Sequence, residues 1–240
     1  MKINLNRAAK LNHSLVEPAH WRQIPYGDAC CQALSDYFAE WFPKVLGYQL
    51  LKIGGLSGQI QVNLPLCHQI VLTEQTARQT ELQSTALLSG GDSVICAKNT
   101  ALPFIQNEIN ACLLANTLNF AQDPHQILRE VQRVLTDDGY LFLSLFNPCS
   151  PFAFKFTLGG FAFRRYMGWR IIDWLQLLNF DILDKRPVAI KKGRARFFSP
   201  LMVIVAQKRT YPLIFNLEKA RSKMPLFFKP AGAFKEIKPE

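Results

Sequence analysis

The sequence predicts an α/β fold in which helices cover both faces of a doubly wound, mostly parallel seven-stranded sheet. First, short apolar runs alternate with helical segments after about residue 46, which is typical of parallel strands joined by helices. Second, the runs are apolar almost throughout, as strands are when both faces of a sheet are covered. Third, 49% hydrophobic and 19% charged residues indicate a globular chain and exclude a disordered one.

The first predicted element is a helix over residues 28–42, which precedes the alternating part of the chain. A mostly aromatic stripe recurs in it at helical spacing, and its members are Leu34, Tyr37, Phe38, Trp41 and Phe42. A stripe of this kind packs a helix on a hydrophobic core more often than it binds a ligand. We therefore expect residues 1–45 to form an N-terminal segment whose helix packs on the domain that follows.

Seven strands are predicted from the apolar runs. They span residues 48–53, 69–73, 93–97, 109–114, 140–146, 180–183 and 201–206. Helices are predicted between them over 124–135 and 169–178. The first of these has the clearest boundaries, because Asp123 is a good N-cap, Pro124 suits the first helical position, and Gly139 can end the helix in a left-handed conformation.

These elements predict one domain over residues 46–209, in which residues 149–168 form a lid-like insertion. Aromatic and basic residues are interleaved in that insertion. They either stack on a nucleic-acid base or lie against lipid, or they belong to a flexible lid with its own small core. Because ligands bind at the carboxyl ends of the strands in doubly wound sheets, site residues are expected in the loops after the strands.

The charge of the chain is unevenly distributed. Residues 185–240 carry 14 Lys or Arg against three Asp or Glu, a net +11, whereas residues 1–184 carry −1, for a total of +10. A basic loop is predicted before the last strand, and its residues are Lys185, Arg186, Lys191, Lys192, Arg194 and Arg196. It is either an ordinary solvated loop or a site for an anionic partner such as RNA or a membrane surface. Residues 210–240 are predicted to be a basic, extended tail.

The sequence gives no sign of a membrane span or a metal site. No apolar run approaches the roughly 20 residues that cross a bilayer, and no apolar stretch follows the basic start at Lys2. We therefore expect a cytoplasmic protein without a transmembrane segment. The adjacent Cys67 and His68 lack a second pair at ligand spacing, so no metal site is predicted.

Four segments carry a resemblance to a known family. Residues 50–58 read LLKIGGLSG and lie where that family has an acid before a glycine-rich turn, and residues 97–104 end in Leu-Pro-Phe, as its segment after strand three does. Residues 109–118 fit its fourth strand, and residues 123–139 fit its pattern D-P-x-x-h-L-R-E-x-x-R-V-L-x-x-x-G. Over about residues 21–208, the chain resembles the type 11 branch of the class I S-adenosylmethionine-dependent methyltransferases. It also resembles small, poorly characterised bacterial methyltransferase-like proteins that share the LLKIG start and a degenerate first motif.

The resemblance implies a Rossmann-like methyltransferase fold, S-adenosylmethionine as the cofactor, and methyl transfer to an acceptor that the sequence does not identify. The implied cofactor-binding residues are Gly54, Gly55, Gly58, Glu74, Lys98, Asn99 and Asn116. The glycines form the first turn, where the absence of a Cβ lets the backbone approach a ligand closely. In the family, an acid at the Glu74 position binds ribose hydroxyls, the segment at Lys98 and Asn99 reaches the adenine amino group, and the Asn116 position lies near the methionine part. No catalytic residue is implied.

The chain departs from the family pattern at three positions. Lys52 replaces the first acid, Leu56 replaces the middle glycine, and Lys98 replaces the acid after strand three. S-adenosylmethionine is a cation, so a lysine close to it weakens binding by an energy on the order of a few kcal/mol. Alternatively, Lys52 turns to solvent and has little effect.

Three hypotheses remain open from the sequence. In the first, which we prefer because the motifs follow one another at the family's spacing, the chain is an S-adenosylmethionine-dependent methyltransferase. In the second, a non-catalytic methyltransferase-like scaffold binds RNA, an anionic surface or a protein through its basic C-terminal region. In the third, Lys52 and Lys98 point into the pocket and select an anionic analogue of the cofactor.

Overall fold

The computed structural model describes residues 15–62, 68–74, 93–150, 157–190 and 198–209. The described strands are β1 (Gln49–Ile53), β2 (His68–Thr73), β3 (Ser93–Cys96), β4 (Ile109–Ala115), β5 (Leu135–Phe146), β6 (Thr157–Leu158), β7 (Phe161–Ala162), β8 (Phe180–Val188) and β9 (Leu201–Lys208). Seven of them form one sheet in the order β3-β2-β1-β4-β5-β9-β8, and β6 and β7 form a separate hairpin.

The strand order reverses between β1 and β4. Strand β1 pairs in parallel with β2 on one side and with β4 on the other. Among the described strands of this sheet, β9 alone has the reverse direction, because it pairs antiparallel with both β5 and β8. The mostly parallel seven-stranded sheet predicted from the sequence is confirmed, and its switch point lies between the first and fourth strands.

Helices pack on both faces of this sheet. They are α1 (Gly27–Ala39), α2 (Thr117–Phe120), α3 (Pro124–Val134) and α4 (Gly168–Leu177), with 3-10 turns at Trp21–Gln23, Phe42–Lys44 and Ser57–Gln59. On one face, α1 buries Phe38, whose ring centroid lies 5.4 Å from that of Phe142 on β5. On the other face, α3 and α4 bury apolar stripes that include Leu128 and Leu175. The predicted doubly wound arrangement is thereby confirmed.

The end of α3 differs from the prediction. Its start agrees, since the Asp123 carboxylate accepts a hydrogen bond from the Gln126 amide at 3.2 Å. However, β5 follows the helix directly, and the residue in the left-handed conformation is Asp138, with φ 61°, rather than Gly139. Glycine is needed at 139 for another reason: a Cβ there would lie 2.9 Å from the Thr136 carbonyl oxygen.

The described part of the insertion packs into the main core. Leu158 and Phe163 are buried in the core that α1 covers, and a Cβ on Gly159 would collide with the Gln23 carbonyl oxygen. Phe163 also lies against Phe146, with ring centroids 5.6 Å apart. This part therefore differs from the expected flexible lid with a core of its own, and the Phe163 ring is not exposed for stacking. Residues 151–156 lie outside the described residues.

The basic loop predicted before the last strand begins later than expected. Strand β8 extends to Val188, so Lys185 and Arg186 belong to the strand and not to the loop. The Arg186 guanidinium pairs with Asp184, with Nε 2.9 Å from Oδ2. The other four predicted residues, Lys191, Lys192, Arg194 and Arg196, lie outside the described residues, as does the tail over 210–240. Among the helices that the structure describes, none has the length and apolar character needed to cross a membrane.

Candidate functional site

A cavity of about 470 Å³ opens at the carboxyl ends of β1 to β4, beside the switch point of the sheet. Doubly wound sheets bind their ligands at this place, and ligand cavities commonly measure about 300–1,000 Å³. The loops after the four strands and a segment before α1 line it. The lining residues are Leu15, Val16, Glu17, Pro18, Ala19, Gly55, Thr73, Glu74, Lys98, Asn99, Thr100, Thr117, Phe120, Ala121, Gln122 and Ile127.

The turn after β1 is held against β4 by hydroxyl groups. Ser57 Oγ donates to the Ile53 carbonyl oxygen at 2.6 Å and accepts from the Ala115 amide at 2.7 Å. Thr117 Oγ1 donates to the same Ile53 oxygen at 2.7 Å. Within this turn Gly54 has φ +91°, and a Cβ on it would lie 2.8 Å from Thr117 Oγ1. Only glycine fits there, because both the conformation and the close packing exclude a side chain.

A carboxylate from the N-terminal segment lies on this glycine turn. The Gly55 amide donates to Glu17 Oε1 at 3.1 Å, and a Cβ on Gly54 would collide with that oxygen. The chain just beyond Glu17 is anchored to the same region. The Trp21 indole donates to the Leu56 carbonyl oxygen at 2.9 Å, and the Trp21 amide donates to Gln59 Oε1 at 2.9 Å. Residues 15–19 therefore form one wall of the cavity.

The loops after β2 and β3 add a second carboxylate and a buried amide to the lining. Glu74 Oε1 accepts a hydrogen bond from the Asn99 backbone amide at 2.7 Å, and a carboxylate can accept further bonds on its other oxygen. The side chain of Asn99 is buried, and its Oδ1 has no hydrogen-bond partner among the residues that the structure describes. A buried acceptor without a partner costs about 1–3 kcal/mol, which a donor group on a ligand would offset.

Comparisons with known proteins agree with this geometry. A family model described as "Methyltransferase domain" matches residues 51–143. The uncharacterised protein YafS of Escherichia coli (strain K12) is 32% identical, over 97% of this chain and 98% of that protein. A solved structure of an S-adenosylmethionine-dependent methyltransferase from Thermotoga maritima, described as a possible histamine N-methyltransferase, is 18% identical, with a TM-score of 0.57 over 77% of this chain and 92% of that one. The chain belongs to the same family as YafS, its residues 51–143 match a methyltransferase domain, and it shares the fold of S-adenosylmethionine-dependent methyltransferases.

The methyltransferase fold does not fix the reaction. The [4+2]-cyclase SpnF has a TM-score of 0.60 to this chain and is 16% identical, over 85% of this chain and 89% of that one. At identities this low, the solved structures show the shared fold alone. What a member of the family does must therefore be argued from its own site.

Lys52 stands at the position of the family's first acid, yet it does not line the cavity. Its side chain is 4% exposed, and its Nζ donates to the Ile60 carbonyl oxygen at 2.8 Å. The expectation that it turns to solvent is therefore wrong, and so is the alternative in which it points into the pocket. Leu56, at the middle glycine position, is buried in the core beside Leu50.

The charged residues in the cavity lining favour a cationic ligand. Glu17 and Glu74 contribute two negative charges and Lys98 one positive charge, so the formal sum over the described lining is −1. Lys98 is exposed, and solvent screens a charge at such a position. Hence Lys98 opposes a cation less than a buried ammonium would.

The predicted site residues divide into two groups. Gly55, Glu74, Lys98 and Asn99 meet at the cavity, whereas Gly54, Gly58 and Asn116 are not among its lining residues. Asn116 is fully buried in the left-handed conformation, with φ 59°, and its Oδ1 accepts from Ser144 Oγ at 2.6 Å. Its side chain thus joins β4 to β5. Gly58 lies in the 3-10 turn Ser57–Gln59.

Sequence reasoning missed Glu17. It comes 38 residues before Gly55, and only the folded chain brings the two together. One signal was present, since Glu17 is the only acid before Asp28 and two of the family's acids are lysines here. A search for replacement carboxylates would have found it.

A polar latch holds the loop that carries Lys98 and Asn99. Arg133 on α3 donates from Nη2 to the Leu102 carbonyl oxygen at 2.9 Å and from Nη1 to that of Phe104 at 2.8 Å. Glu130 accepts from the Leu102 amide at 2.9 Å and pairs with Arg133 at 2.8 Å. The hydrogen bond from Arg133 is the main cause that lowers the pKa of Glu130, so the ion pair persists to a lower pH than an unpaired glutamate would stay charged.

Proposed function

We propose that this protein binds S-adenosylmethionine in the cavity beside the switch point and transfers its methyl group to an acceptor. The main support for this proposal is the cavity, which lies at the carboxyl ends of β1 to β4. The formal charges of its described lining residues sum to −1. S-adenosylmethionine carries a sulfonium, an ammonium and a carboxylate group, so its net charge is +1. The negative charge of the lining therefore complements the positive charge of the cofactor.

The donors and acceptors present also fit the cofactor. Glu74 would accept hydrogen bonds from the ribose hydroxyls, as acids at the end of a second strand do in nucleotide sites. Asn99 would offer its Oδ1 acceptor to the adenine amino group, in place of the acid that Lys98 replaces. Gly55, which has no side chain, leaves its backbone open to close approach. The apolar Phe120 and Ile127 complete the lining.

The contribution of the protein to catalysis is mainly positioning. When bound, the cofactor supplies an electrophilic methyl group. Glu74, Asn99 and the glycine turn would fix its orientation, and the wall formed by residues 15–19 would limit the access of water. We assign no general base and no class of acceptor.

Calorimetric titration with S-adenosylmethionine and S-adenosylhomocysteine tests this function. We expect the parent protein to bind both at micromolar concentrations. Lys98→Asp restores a family acid at an exposed position, so it should bind S-adenosylmethionine roughly two- to tenfold more tightly. Lys185→Asp is the matched control, because Lys185 is exposed on β8, at the sheet edge opposite β3.

Three outcomes separate the hypotheses. Binding by the parent sustains the proposal and justifies a search for the acceptor. No binding by the parent, with binding gained by Lys98→Asp, would mean that the fold keeps its pocket but has lost its cofactor. The scaffold hypothesis, with its basic C-terminal region, would then lead. No binding by either protein would reject the proposed cofactor for this cavity.

A further inference from the structure

We propose that Glu17 supplies the carboxylate that attracts the cationic end of the cofactor. The acid that precedes the glycine turn in the family is absent here, because Lys52 stands in its place. The inference rests on the proposed function. If it is correct, the N-terminal segment belongs to the binding site itself, and Glu17 sets the preference between the cofactor and its demethylated product.

The position of the carboxylate is the first argument. Lys52 holds the family's acid position at the end of β1, but its ammonium bonds to Ile60 and does not line the cavity. Glu17 places its carboxylate on the Gly54–Gly55 turn, directly after the same strand, and does line the cavity. A negative charge is thus present beside the first glycine turn, although it comes from another part of the chain.

The way in which this carboxylate is held is the second argument. Its Oε1 accepts the Gly55 amide at 3.1 Å, in a space that exists because Gly54 has no Cβ. The backbone beyond it is tied down as well, since the Ala19 amide donates to Gln23 Oε1 at 2.7 Å. A group that is already oriented loses little entropy when a ligand binds, which increases its contribution to affinity.

The charge of the cavity is the third argument. Without Glu17, the charged lining residues would be Glu74 and Lys98, whose formal charges cancel. With Glu17 the sum is −1, which complements S-adenosylmethionine at +1 but not S-adenosylhomocysteine, which has lost the sulfonium charge and is neutral overall. Glu17 therefore favours the cofactor over the product, and this preference promotes product exchange after methyl transfer.

A competing interpretation predicts the opposite effect. In it, the Glu17 carboxylate occupies the Gly55 amide that a ligand carboxylate would use, so that residues 15–19 block the cavity. Removing the charge of Glu17 would then strengthen binding instead of weakening it. The direction of the change in affinity distinguishes the two.

The test is calorimetric titration of the parent protein, Glu17→Gln and Glu40→Gln with both ligands. Glutamine keeps an oxygen that can accept the Gly55 amide and removes only the charge, and Glu40 is an exposed acid at the end of α1. We expect Glu17→Gln to bind S-adenosylmethionine about tenfold more weakly, to lose less affinity for S-adenosylhomocysteine, and to melt at the temperature of the parent. Glu40→Gln should match the parent with both ligands.

Each other outcome overturns the inference in a distinct way. Unchanged affinity of Glu17→Gln for S-adenosylmethionine, within twofold, removes Glu17 from the site. Tighter binding establishes the blocking interpretation. Equal losses for both ligands remove the argument from the sulfonium charge. If the parent binds neither ligand, the proposed function itself fails, which the titration of the parent reveals before any variant is measured.

Discussion

At the scale of single residues, Lys52 stands at a motif position but has a structural role instead of a ligand-binding one. Lysine is almost never fully buried unless it is paired, and here the ammonium donates to the Ile60 carbonyl oxygen at 2.8 Å. Ile60 follows the 3-10 turn that leads away from the glycine turn. Lys52 therefore links β1 to the chain after the turn and does not line the cavity.

Restoring the family's acid at this position is expected to damage the fold. In Lys52→Asp a buried carboxylate would stand in place of the donor to the Ile60 oxygen, so two acceptors would lie in one apolar environment. We expect the free energy of unfolding to fall by at least about 2 kcal/mol, with no gain in cofactor affinity. Urea unfolding measures the loss, and the exposed Lys185→Asp serves as the control. A stable variant that binds the cofactor more tightly would contradict this account of Lys52.

At the scale of elements, two segments that carried the family resemblance turn out to contact each other. Helix α3 supplies Glu130 and Arg133, and the segment that ends in Leu-Pro-Phe supplies the backbone groups of Leu102 and Phe104. The spacing of both motifs follows from this latch. It fixes the loop after β3 just beyond Lys98 and Asn99, so the shape of the cavity depends on α3, which also contributes Ile127 to the lining.

Removing the latch should weaken both stability and binding. Arg133→Met leaves the Leu102 and Phe104 carbonyl oxygens without their donor, and hydrogen bonds to charged groups contribute about 1.5–3 kcal/mol each. We expect a loss of at least about 2 kcal/mol in urea unfolding at pH 7 and weaker cofactor binding in calorimetry. Arg129→Met, an exposed position of the same helix, is the control. Full retention of cofactor affinity by Arg133→Met would show that the loop keeps its shape without the latch.

The latch also predicts a dependence of stability on pH. In the folded chain, the hydrogen bond from Arg133 lowers the pKa of Glu130 below the value of 4.5 for an unperturbed glutamate. A carboxylate whose pKa is lower in the folded than in the unfolded chain stabilises the fold above pH 4.5. This contribution is lost as the pH falls through the pKa of the folded chain. The parent should therefore lose more stability between pH 5 and pH 3 than Arg133→Met does. Parallel stability curves for the two proteins would contradict this assignment.

At the scale of the whole molecule, hydropathy predicted the sheet because its strands are buried on both faces. It failed for β8, whose second half begins with Asp-Lys-Arg-Pro over residues 184–187, because residues 185–187 are exposed at the edge of the sheet. Pairing with β9, rather than burial, makes that half a strand. The start of β5 was missed because Asp137 and Asp138 are polar and exposed, although Leu135 before them pairs with Ile109 across an irregular register.

Only those residues of the candidate site that belong to local sequence motifs could be predicted. Gly55, Glu74, Lys98 and Asn99 follow strands, and parallel strands bring their carboxyl ends together, so their meeting at one cavity follows from the fold. The contact of Glu17 depends on how the N-terminal segment packs on the turn, which no periodicity encodes. The remaining test of the assembled site is whether a ligand stabilises the whole domain.

Ligand binding is expected to raise the melting temperature according to the charge of the ligand. A ligand that binds only the folded chain adds about 2.7 kcal/mol at 100 times its Kd, which in a domain of this size raises Tm by roughly 5–10 °C. We expect this shift with S-adenosylmethionine. ATP shares the adenosine part but is an anion, and the lining sum of −1 should keep its shift far smaller. Added salt should narrow the difference, because screening weakens both the attraction and the repulsion. A larger shift with ATP would favour an anionic ligand, even though Lys52 does not line the cavity.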